Sequence, residues 1–432
     1  MLTHCRRRHV AGVLDASPRA ARPVFSFCRE RGTAAQFSHA GLLRAAVVAT
    51  MVTLAAGLTA GPAWAGTRLA SAGAITGTRA DLAAVTAIPG TTEAWAVGQK
   101  CPAAPEGCQP GNDLVLRESN SGWSAVPAPS PGGQASLVAV SADSASDAWA
   151  VGSWFGGEKN LYLHWNGSAW KQVIGPDNST LTGVAAISPT DALAVGYTTS
   201  PTGSTVTLAL HWDGTTWTRV ATPNPGGAGD DQLFGVTAVS ATDAWAVGSS
   251  LDPQSRTKAL VLHWNGSTWS QASAPAVATD ATQLSAVAAG SASDVWAVGY
   301  YNTPSDFDHP LILHWNGSAW AREELPSPGS KTEVLDGVAA TASNVWAVGL
   351  GPCIGPSIEC PSKTLIMHLT GSGWQVVPSV SVSDHQDQNG LAGVAMTSAS
   401  NAWAAGDYFP AAEQEPIYAM LQHWNGSTWA TQ

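Results

Sequence analysis

Apolar and polar positions repeat along this chain with a period of about 50 residues. Each copy has four short apolar segments: Leu-x-x-Val-x-Ala, then Trp-Ala-Val-Gly, then Leu-His-Trp, then a segment that begins at another Trp. Such segments, separated by Gly, Asn, Asp and Ser, are typical of β-strands joined by turns. No helix-period segment of useful length follows residue 66. The sequence therefore predicts an all-β fold with four antiparallel strands in each of seven copies.

Tryptophan recurs at three positions of the repeat, which hold 18 of the 20 tryptophans. The first position, in Trp-Ala-Val-Gly, holds Trp95, Trp149, Trp245, Trp296, Trp346 and Trp403, with Leu193 in the third copy. The second, in Leu-His-Trp, holds Trp165, Trp212, Trp264, Trp315 and Trp424. The third, in the last segment, holds Trp123, Trp170, Trp217, Trp269, Trp320, Trp374 and Trp429. Because these tryptophans recur at fixed positions within the predicted strands, we predict that they are structural.

The step from the third to the fourth strand is Asn-Gly in four copies, which is typical of a two-residue hairpin with positive φ at both positions. In that register Trp315 would pair with Ser318, and Leu313 with Trp320. The first strand is rich in Ala, Gly and Ser, which suits the crowded axis of a ring. The pattern predicts a seven-bladed β-propeller over residues 81–432 with this strand innermost.

This order of strands resembles the kelch-like, galactose-oxidase-like propellers. Trp-Ala-Val-Gly followed by His-Trp-Asn-Gly is similar to the repeat of a group of secreted bacterial propellers. The resemblance covers the chain after its leader and implies the propeller fold. Kelch blades have a double Gly after the second strand, whereas this chain has Val-Gly, as at Val151-Gly152. A copper oxidase of the galactose-oxidase type would need Tyr and His ligands and a cross-linked Cys at the axis, and no such Cys is evident.

The first 65 residues lie outside the repeat and indicate a secretion signal. Arg44 precedes an apolar run over residues 45–60, and Ala63-Trp64-Ala65 predicts cleavage near 65/66. Residues 66–80 are then a linker or a strand that latches the ring. The chain carries a formal net charge of −11, and the part after the leader is more acidic still. This charge argues against nucleic acid as a partner. We expect a secreted, extracellular monomer without a membrane span.

Four cysteines follow the leader, and they form two pairs with the same spacing in the first and sixth copies. The pairs are Cys101 with Cys108 and Cys353 with Cys360. In an extracellular protein this spacing predicts two local disulfides. A zinc site is the alternative, but it would have to join copies five apart in sequence. We predict no metal and no cofactor.

The connections after the second strand differ in every copy, and most remaining aromatic residues are found there. Variable loops on a rigid scaffold usually carry recognition. The candidate ligand-binding residues are Trp154, Phe155, Tyr197, Tyr300, Tyr301, Phe307, Tyr408 and Phe409. Aromatic groups at these positions could stack on sugars or grip a peptide, or could instead cap the blade ends.

The repeated His before the second-position Trp and the repeated Asp-x-Trp acids are predicted to be structural, the His through hydrogen bonds and the acids through Asx turns. The leading interpretation is a secreted, non-catalytic propeller that binds a glycan or a protein on the face made by the variable loops after the second and the fourth strands. A glycan hydrolase or lyase would need two carboxylates at a suitable separation. The acidic candidates are Asp230, Asp231, Asp306, Asp308 and Asp407. A purely structural surface protein is a further alternative.

Overall fold

The computed structural model describes residues 75–432 except 102–110, 120, 132–133, 155–158, 228, 278–280, 303–307, 327–331, 354–361, 383–387 and 410–416. The predicted leader and most of the predicted linker lie outside these residues. The regular elements of the described part are 28 β-strands. The described residues include no helix, and therefore no helix that could cross a membrane.

The strands form seven successive units of four, and we call the strands of each unit a, b, c and d. Strands a are β1 (Ala80–Ala87), β5 (Ser136–Ser144), β9 (Thr180–Ser188), β13 (Asp231–Ser240), β17 (Ala281–Ser291), β21 (Val334–Thr341) and β25 (Gln388–Ser398). Strands b are β2 (Ala94–Lys100), β6 (Asp147–Trp154), β10 (Asp191–Thr199), β14 (Asp243–Leu251), β18 (Asp294–Asn302), β22 (Asn344–Cys353) and β26 (Asn401–Phe409).

The outer strands complete each unit. Strands c are β3 (Asn112–Ser119), β7 (Lys159–Trp165), β11 (Thr205–Trp212), β15 (Thr257–Trp264), β19 (His309–Trp315), β23 (Ser362–Thr370) and β27 (Tyr418–Trp424). Strands d are β4 (Gly122–Ala125), β8 (Trp170–Val173), β12 (Trp217–Val220), β16 (Trp269–Gln271), β20 (Trp320–Arg322), β24 (Gly373–Val376) and β28 (Trp429–Thr431).

Each unit is an antiparallel sheet in the order a-b-c-d. Single parallel pairs, Thr257 with Ala281 and Ser362 with Gln388, join unit 4 to unit 5 and unit 6 to unit 7. Strand a of each unit contacts strand a of the next unit, and β25 contacts β1. The protein is a multi-blade β-propeller of four-stranded antiparallel blades, which confirms the predicted all-β class.

The Gly of Trp-Ala-Val-Gly is required by a β-bulge in strand a. The pairing of strands a and b shifts register just after a buried Leu, for example after Leu82 and after Leu233. The bulge brings a backbone carbonyl against the glycine: a Cβ on Gly248 would lie 1.9 Å from the O of Gln232. The same contact occurs at 1.9 to 2.1 Å in all seven units. No other residue fits there without moving the backbone.

The predicted register of the c–d hairpin is wrong. Trp315 pairs with Trp320, so the turn has four residues. The Oδ1 of Asn316 accepts hydrogen bonds from the backbone N–H groups of Ser318 and Ala319 at 3.0 and 3.1 Å. Gly317 has a φ of 90°, whereas Asn316 is not among the residues with positive φ. The Asn side chain therefore stabilises a wider turn, and only the Gly needs the left-handed conformation.

This register places the second- and third-position tryptophans of a unit opposite each other. The first-position Trp of the preceding unit packs against both of them. The ring centroid of Trp149 lies 5.0 Å from those of both Trp212 and Trp217 in the next unit. Equivalent groups surround Trp95, Trp245 and Trp346. Leu193 occupies the same place in unit 3. The repeated tryptophans thus form the cores between successive units.

The last unit packs against the first in the same way. Trp403 and Leu421 of unit 7 share a buried cluster with Leu82 and Trp123 of unit 1. Hydrogen bonds join the start of the described chain to this unit: the N–H of Thr76 donates to the O of Gln432 at 2.8 Å. The N–H of residue 77 similarly donates to the O of residue 419 at 2.9 Å. The domain boundaries at 65/66 and 80/81 stay predictions.

Candidate functional site

The antiparallel order divides the connections of every unit between two ends. Connections a–b and c–d lie at one end, which we call the turn end, and connections b–c and d–a lie at the other, the loop end. Turn-end connections are short, as at 145–146 and 166–169. The loop-end connections differ in length, from the short connection at 155–158 to the long one at 101–111. The variable segments therefore share one end of the blades.

Three of the aromatic candidates occupy the same position, two residues after the Gly of strand b. Trp154 packs against the core between units 1 and 2, Tyr301 against that between units 4 and 5, and Tyr408 against that between units 6 and 7. All three side chains are half-buried. Each therefore covers the end of a core and keeps part of its surface at the loop end.

The neighbours of two of these rings hold them in place. The ring of Tyr301 stacks on that of His309, with centroids 5.1 Å apart, and the Cζ of Arg322 lies 4.4 Å from the Tyr301 centroid. The ring of Tyr408 stacks on that of Tyr418 at 5.3 Å. Stacking restricts the rotamers, so these aromatic surfaces are fixed in advance of any ligand.

The other aromatic candidates are dispersed around the loop end. The hydroxyl of Tyr300 donates a hydrogen bond to the Oε1 of Gln283 at 3.4 Å. Tyr197 is half-buried in β10, opposite Thr180 and Thr207. Phe155 and Phe307, and the side chain of Phe409, lie outside the described residues. The described candidates stand in units 2, 3, 5 and 7, so the fold distributes them over several blades.

Several carboxylates at the loop end are buried. Asp308 and Asp407 are each 7% exposed, and Asp231 is fully buried. Burial raises the pKa of Asp231, although the N–H of Gly226 donates to its carboxylate at 3.0 Å. Burial raises the pKa of Glu333 to about 7. Glu333 was missed by sequence reasoning, although an acid directly before a buried strand was a visible signal.

The remaining acidic candidates are bound within their loops or lie outside the described residues. The Oδ1 of Asp230 accepts a hydrogen bond from the N–H of Thr205 at 2.7 Å. Asp306 lies outside the described residues. The described side chains include no group of three or more His, Cys, Asp and Glu arranged to hold a metal ion.

One of the four predicted disulfide cysteines is fully described. Cys101 is disulfide-bonded and 5% exposed. Cys108 and Cys360, and the side chain of Cys353, lie outside the described residues. The pairing of these cysteines stays a prediction.

The repeated histidines form a recurring group with the acid of strand b and, in most units, the first-position tryptophan. The Nε2 of His164 bonds the Oδ1 of Asp147 at 2.6 Å, and its ring stacks on Trp149 with centroids 4.3 Å apart. His211, His263 and His314 bond the acids of their own units at 2.9 Å. The prediction of structural hydrogen bonds within the blades is confirmed. Because these bonds lie within single units, the histidines do not converge on one site.

The predicted Asx turns at these acids are wrong. The a–b turn is capped by the preceding Ser: the N–H of Ser146 donates to the Oγ of Ser144 at 3.3 Å. This leaves the carboxylate of Asp147 free to accept from the histidine. In units 6 and 7 an Asn replaces the acid, and burial lowers the pKa of His368 and of His423.

Unit 1 has a charged variant of the same group. Arg117 replaces the histidine; its Nε donates to the Oε2 of Glu93 at 2.8 Å, and its Cζ lies 5.0 Å from the centroid of the Trp95 ring. Glu118 occupies the second tryptophan position, opposite Trp123. Burial, followed by the charge of Glu93, raises the pKa of Glu118 to about 7.

Comparison with known proteins shows the fold. No protein-family model and no curated protein matches the chain. Among solved structures, an ulvan lyase of polysaccharide lyase family PL25 is 8% identical, with a TM-score of 0.51, over 83% of this chain and 97% of that chain. The β-propeller domain of the Trilobed protease from Pyrococcus furiosus is 8% identical, with a TM-score of 0.49, over 82% and 98%. YCF48 from Cyanidioschyzon merolae is 14% identical, with a TM-score of 0.47, over 81% and 96%.

Proposed function

We propose that this protein is a secreted, seven-bladed β-propeller that binds a glycan or a protein at its loop end without catalysing a reaction. The observation that carries the proposal is the contrast between the two ends. The repeated Trp, His and Asp side chains are used in packing and hydrogen bonding, whereas the variable connections and the half-buried aromatic candidates share the loop end. Recognition is usually built on loops of this kind.

Seven blades are supported by the contacts around the ring. Every strand a contacts the strand a of the next unit, and the series returns from β25 to β1. The buried cluster of Trp403 and Trp123 supports closure between unit 7 and unit 1. The hydrogen bonds of Thr76 and Gly77 to unit 7 support a latch in the segment before β1.

Secretion is supported by the apolar run at 45–60 and by the small residues at 63–65. Amino-terminal sequencing of protein recovered from the culture medium of a secreting host should give Gly66 as the first residue. A first residue far from this position, or retention of the protein inside the cells, would contradict the secretion signal.

An enzyme that acts on glycans is the second candidate, because Glu333 has a pKa of about 7, which suits a general acid or base. However, Glu333 is only 2% exposed, and its Oε1 is buried with no hydrogen-bond partner in the described structure. A substrate could not reach this carboxyl without a rearrangement. The geometry therefore favours binding over catalysis.

A glycan array probed with the mature protein, beside an assay for released sugars, tests the proposal. We expect saturable binding to at least one glycan and no release of sugar. Trp154→Ala and Tyr300→Ala should each weaken binding at least about tenfold, because aromatic stacking on the ligand is lost. Thr215→Ala, at an exposed site of the turn end, is the matched control and should bind as the wild type does.

Two results would contradict the proposal. Release of sugars from a bound glycan would show an enzyme. Binding that survives both aromatic substitutions would place the ligand elsewhere. A protein ligand is tested in the same way, with the two variants compared in a pull-down of extracellular proteins.

A further inference from the structure

The turn end holds a groove between units 4 and 5 that no part of the proposed function uses. Its volume is about 410 Å³, within the range of small-molecule sites. Its lining residues include Asp243, Trp245, His263, Ser270 and Trp315. The groove thus combines aromatic surface with a carboxylate, an imidazole and a hydroxyl.

Trp315 is more accessible than three of the other second-position tryptophans. Trp165, Trp212 and Trp264 are 5%, 7% and 3% exposed, whereas Trp315 and Trp424 are only partly buried. Its indole nitrogen donates to the O of Ala292 at 3.2 Å, which fixes the orientation of the ring. The indole therefore offers an oriented apolar surface on one wall of the groove.

The opposite wall carries polar groups that can still accept hydrogen bonds. The Nε2 of His263 lies 2.9 Å from the Oδ1 of Asp243, so the Oδ2 of this carboxylate is left for a ligand. The side chains of Asp243 and His263 are 23% and 35% exposed. Ser270 is exposed and pairs with His263 across strands c and d. A carboxylate oxygen that accepts from a hydroxyl forms a strong, charge-assisted hydrogen bond.

We propose that this groove binds one neutral pyranose residue. The apolar face of the sugar ring would lie on Trp315, and its hydroxyls would bond the Oδ2 of Asp243 and the Oγ of Ser270. An aromatic wall facing a carboxylate suits a ring with one apolar face and a hydroxylated edge. The carboxylate disfavours acidic sugars by charge repulsion. This site lies at the end opposite to the loop end and does not depend on the proposed function.

The neighbouring groove between units 5 and 6 provides an internal comparison. It has a volume of about 450 Å³ and is lined by equivalent residues: Asp294 stands where Asp243 stands, but Leu369 replaces Trp315. This groove therefore keeps the carboxylate and lacks the aromatic wall that the proposal requires. Unit 6 also shows that the blades accept Leu at the second Trp position and, in Asn344, Asn at the position of the acid.

The test uses saturation-transfer NMR and tryptophan fluorescence with the methyl pyranosides of glucose, galactose and mannose as probes. We expect saturable binding of at least one probe to the wild-type protein. Trp315→Leu and Asp243→Asn copy residues that unit 6 already contains, so both variants should fold, which a melting curve checks. Each should weaken binding by about tenfold or more. Methyl glucuronoside should bind more weakly than the neutral probes.

Leu369→Trp is the control, and Tyr300→Ala reports on the loop end. Leu369→Trp changes only the neighbouring groove, so it should not weaken binding of the probes. The proposal is overturned if no probe binds saturably, if Trp315→Leu and Asp243→Asn bind normally, or if binding is lost in Leu369→Trp. Loss in Tyr300→Ala alone would place the sugar at the loop end and would support the proposed function instead.

Discussion

At the scale of single residues, the repeat is a set of fixed pairings between side chains and backbone. The acid of strand b holds the histidine of strand c, and the histidine stacks on the first-position Trp, as in Asp294, His314 and Trp296. The centroids of the His314 and Trp296 rings are only 3.8 Å apart. Each member positions the next, which explains why the three recur together.

The glycine of strand b gives the first prediction at this scale. A Cβ on Gly248 would lie 1.9 Å from a backbone oxygen, so Gly248→Ala should lower the free energy of unfolding by about 3 kcal/mol. Chemical denaturation measures the change. Gly371→Ala is the control, because a Cβ there meets nothing within 4 Å, and it should change stability by less than about 0.5 kcal/mol. Equal stability of the two variants would contradict the bulge.

The histidines that face an Asn give a prediction about pH. Burial lowers the pKa of His368 in the folded state, so the unfolded chain binds more protons as the pH falls through about 6.5. The contribution of His368 to stability is therefore lost on acidification. Asn344→Asp supplies a carboxylate partner and should raise the pKa of His368, measured by NMR titration of the ring. An unchanged pKa in this variant would show that the residue at position 344 does not control the pKa of His368.

At the scale of elements, the unit of stability is the junction between two blades. Trp149 is fully buried between its own histidine and the tryptophan pair of the next unit. Strand b therefore supplies its largest side chain to a core that it shares with the neighbouring blade. A blade without its neighbour would expose this ring.

Trp149→Ala should accordingly cost about 3 to 5 kcal/mol, because it leaves a large cavity in a core that cannot collapse freely. The measurement is the free energy of unfolding. Trp149→Leu is the control. Because Leu193 is accepted at the equivalent position of unit 3, this variant should lose less stability than Trp149→Ala. If Trp149→Ala melted at the wild-type temperature, the junction would not depend on the ring.

The sequence predicts the elements well and their register less well. Four strands per copy follow from the apolar segments, and the buried tryptophans follow from their period. The register of the c–d hairpin does not follow, because Asn-Gly fits both a two-residue turn and a four-residue turn capped by the Asn. The sequence indicates the bulge in strand a only indirectly, because the Gly of Trp-Ala-Val-Gly is present in every copy.

The candidate site is less predictable because it depends on exposure. Trp264 and Trp315 stand in identical Leu-His-Trp-Asn-Gly-Ser contexts, yet one is buried and the other partly exposed. The local sequence is the same at both positions and does not distinguish them. For the same reason, sequence reasoning located the aromatic residues after strand b but not how far each is buried.

At the scale of the whole molecule, the junction between units 7 and 1 is chemically different from the others. Glu118 stands where most units have a tryptophan, and its raised pKa shows that its charge is disfavoured there. The folded state keeps this proton up to about pH 7, whereas the unfolded chain releases it near pH 4.5. The contribution of Glu118 to stability is therefore present below pH 4.5 and is lost as the pH rises through 7.

Glu118→Gln removes this titration without changing the size of the side chain. The variant should melt at a higher temperature than the wild type at pH 8, and the difference should shrink at pH 5. Melting curves at the two pH values provide the measurement. Glu323→Gln, in another unit, is the control and should not reproduce the pattern. If Glu118→Gln and the wild type differed in melting temperature by the same amount at both pH values, Glu118 would not titrate at the junction.

We propose that the repeated tryptophans build a ring that closes on itself. Trp403 and Trp123 lie in the last and first units, and their ring centroids are 6.4 Å apart. A double-mutant cycle with Trp403→Ala and Trp123→Ala should give a coupling energy of about 0.5 to 1.5 kcal/mol. Trp403 with Trp217, in unit 3, is the control pair and should be additive within about 0.5 kcal/mol. Additive effects for Trp403 and Trp123 would contradict the closed ring.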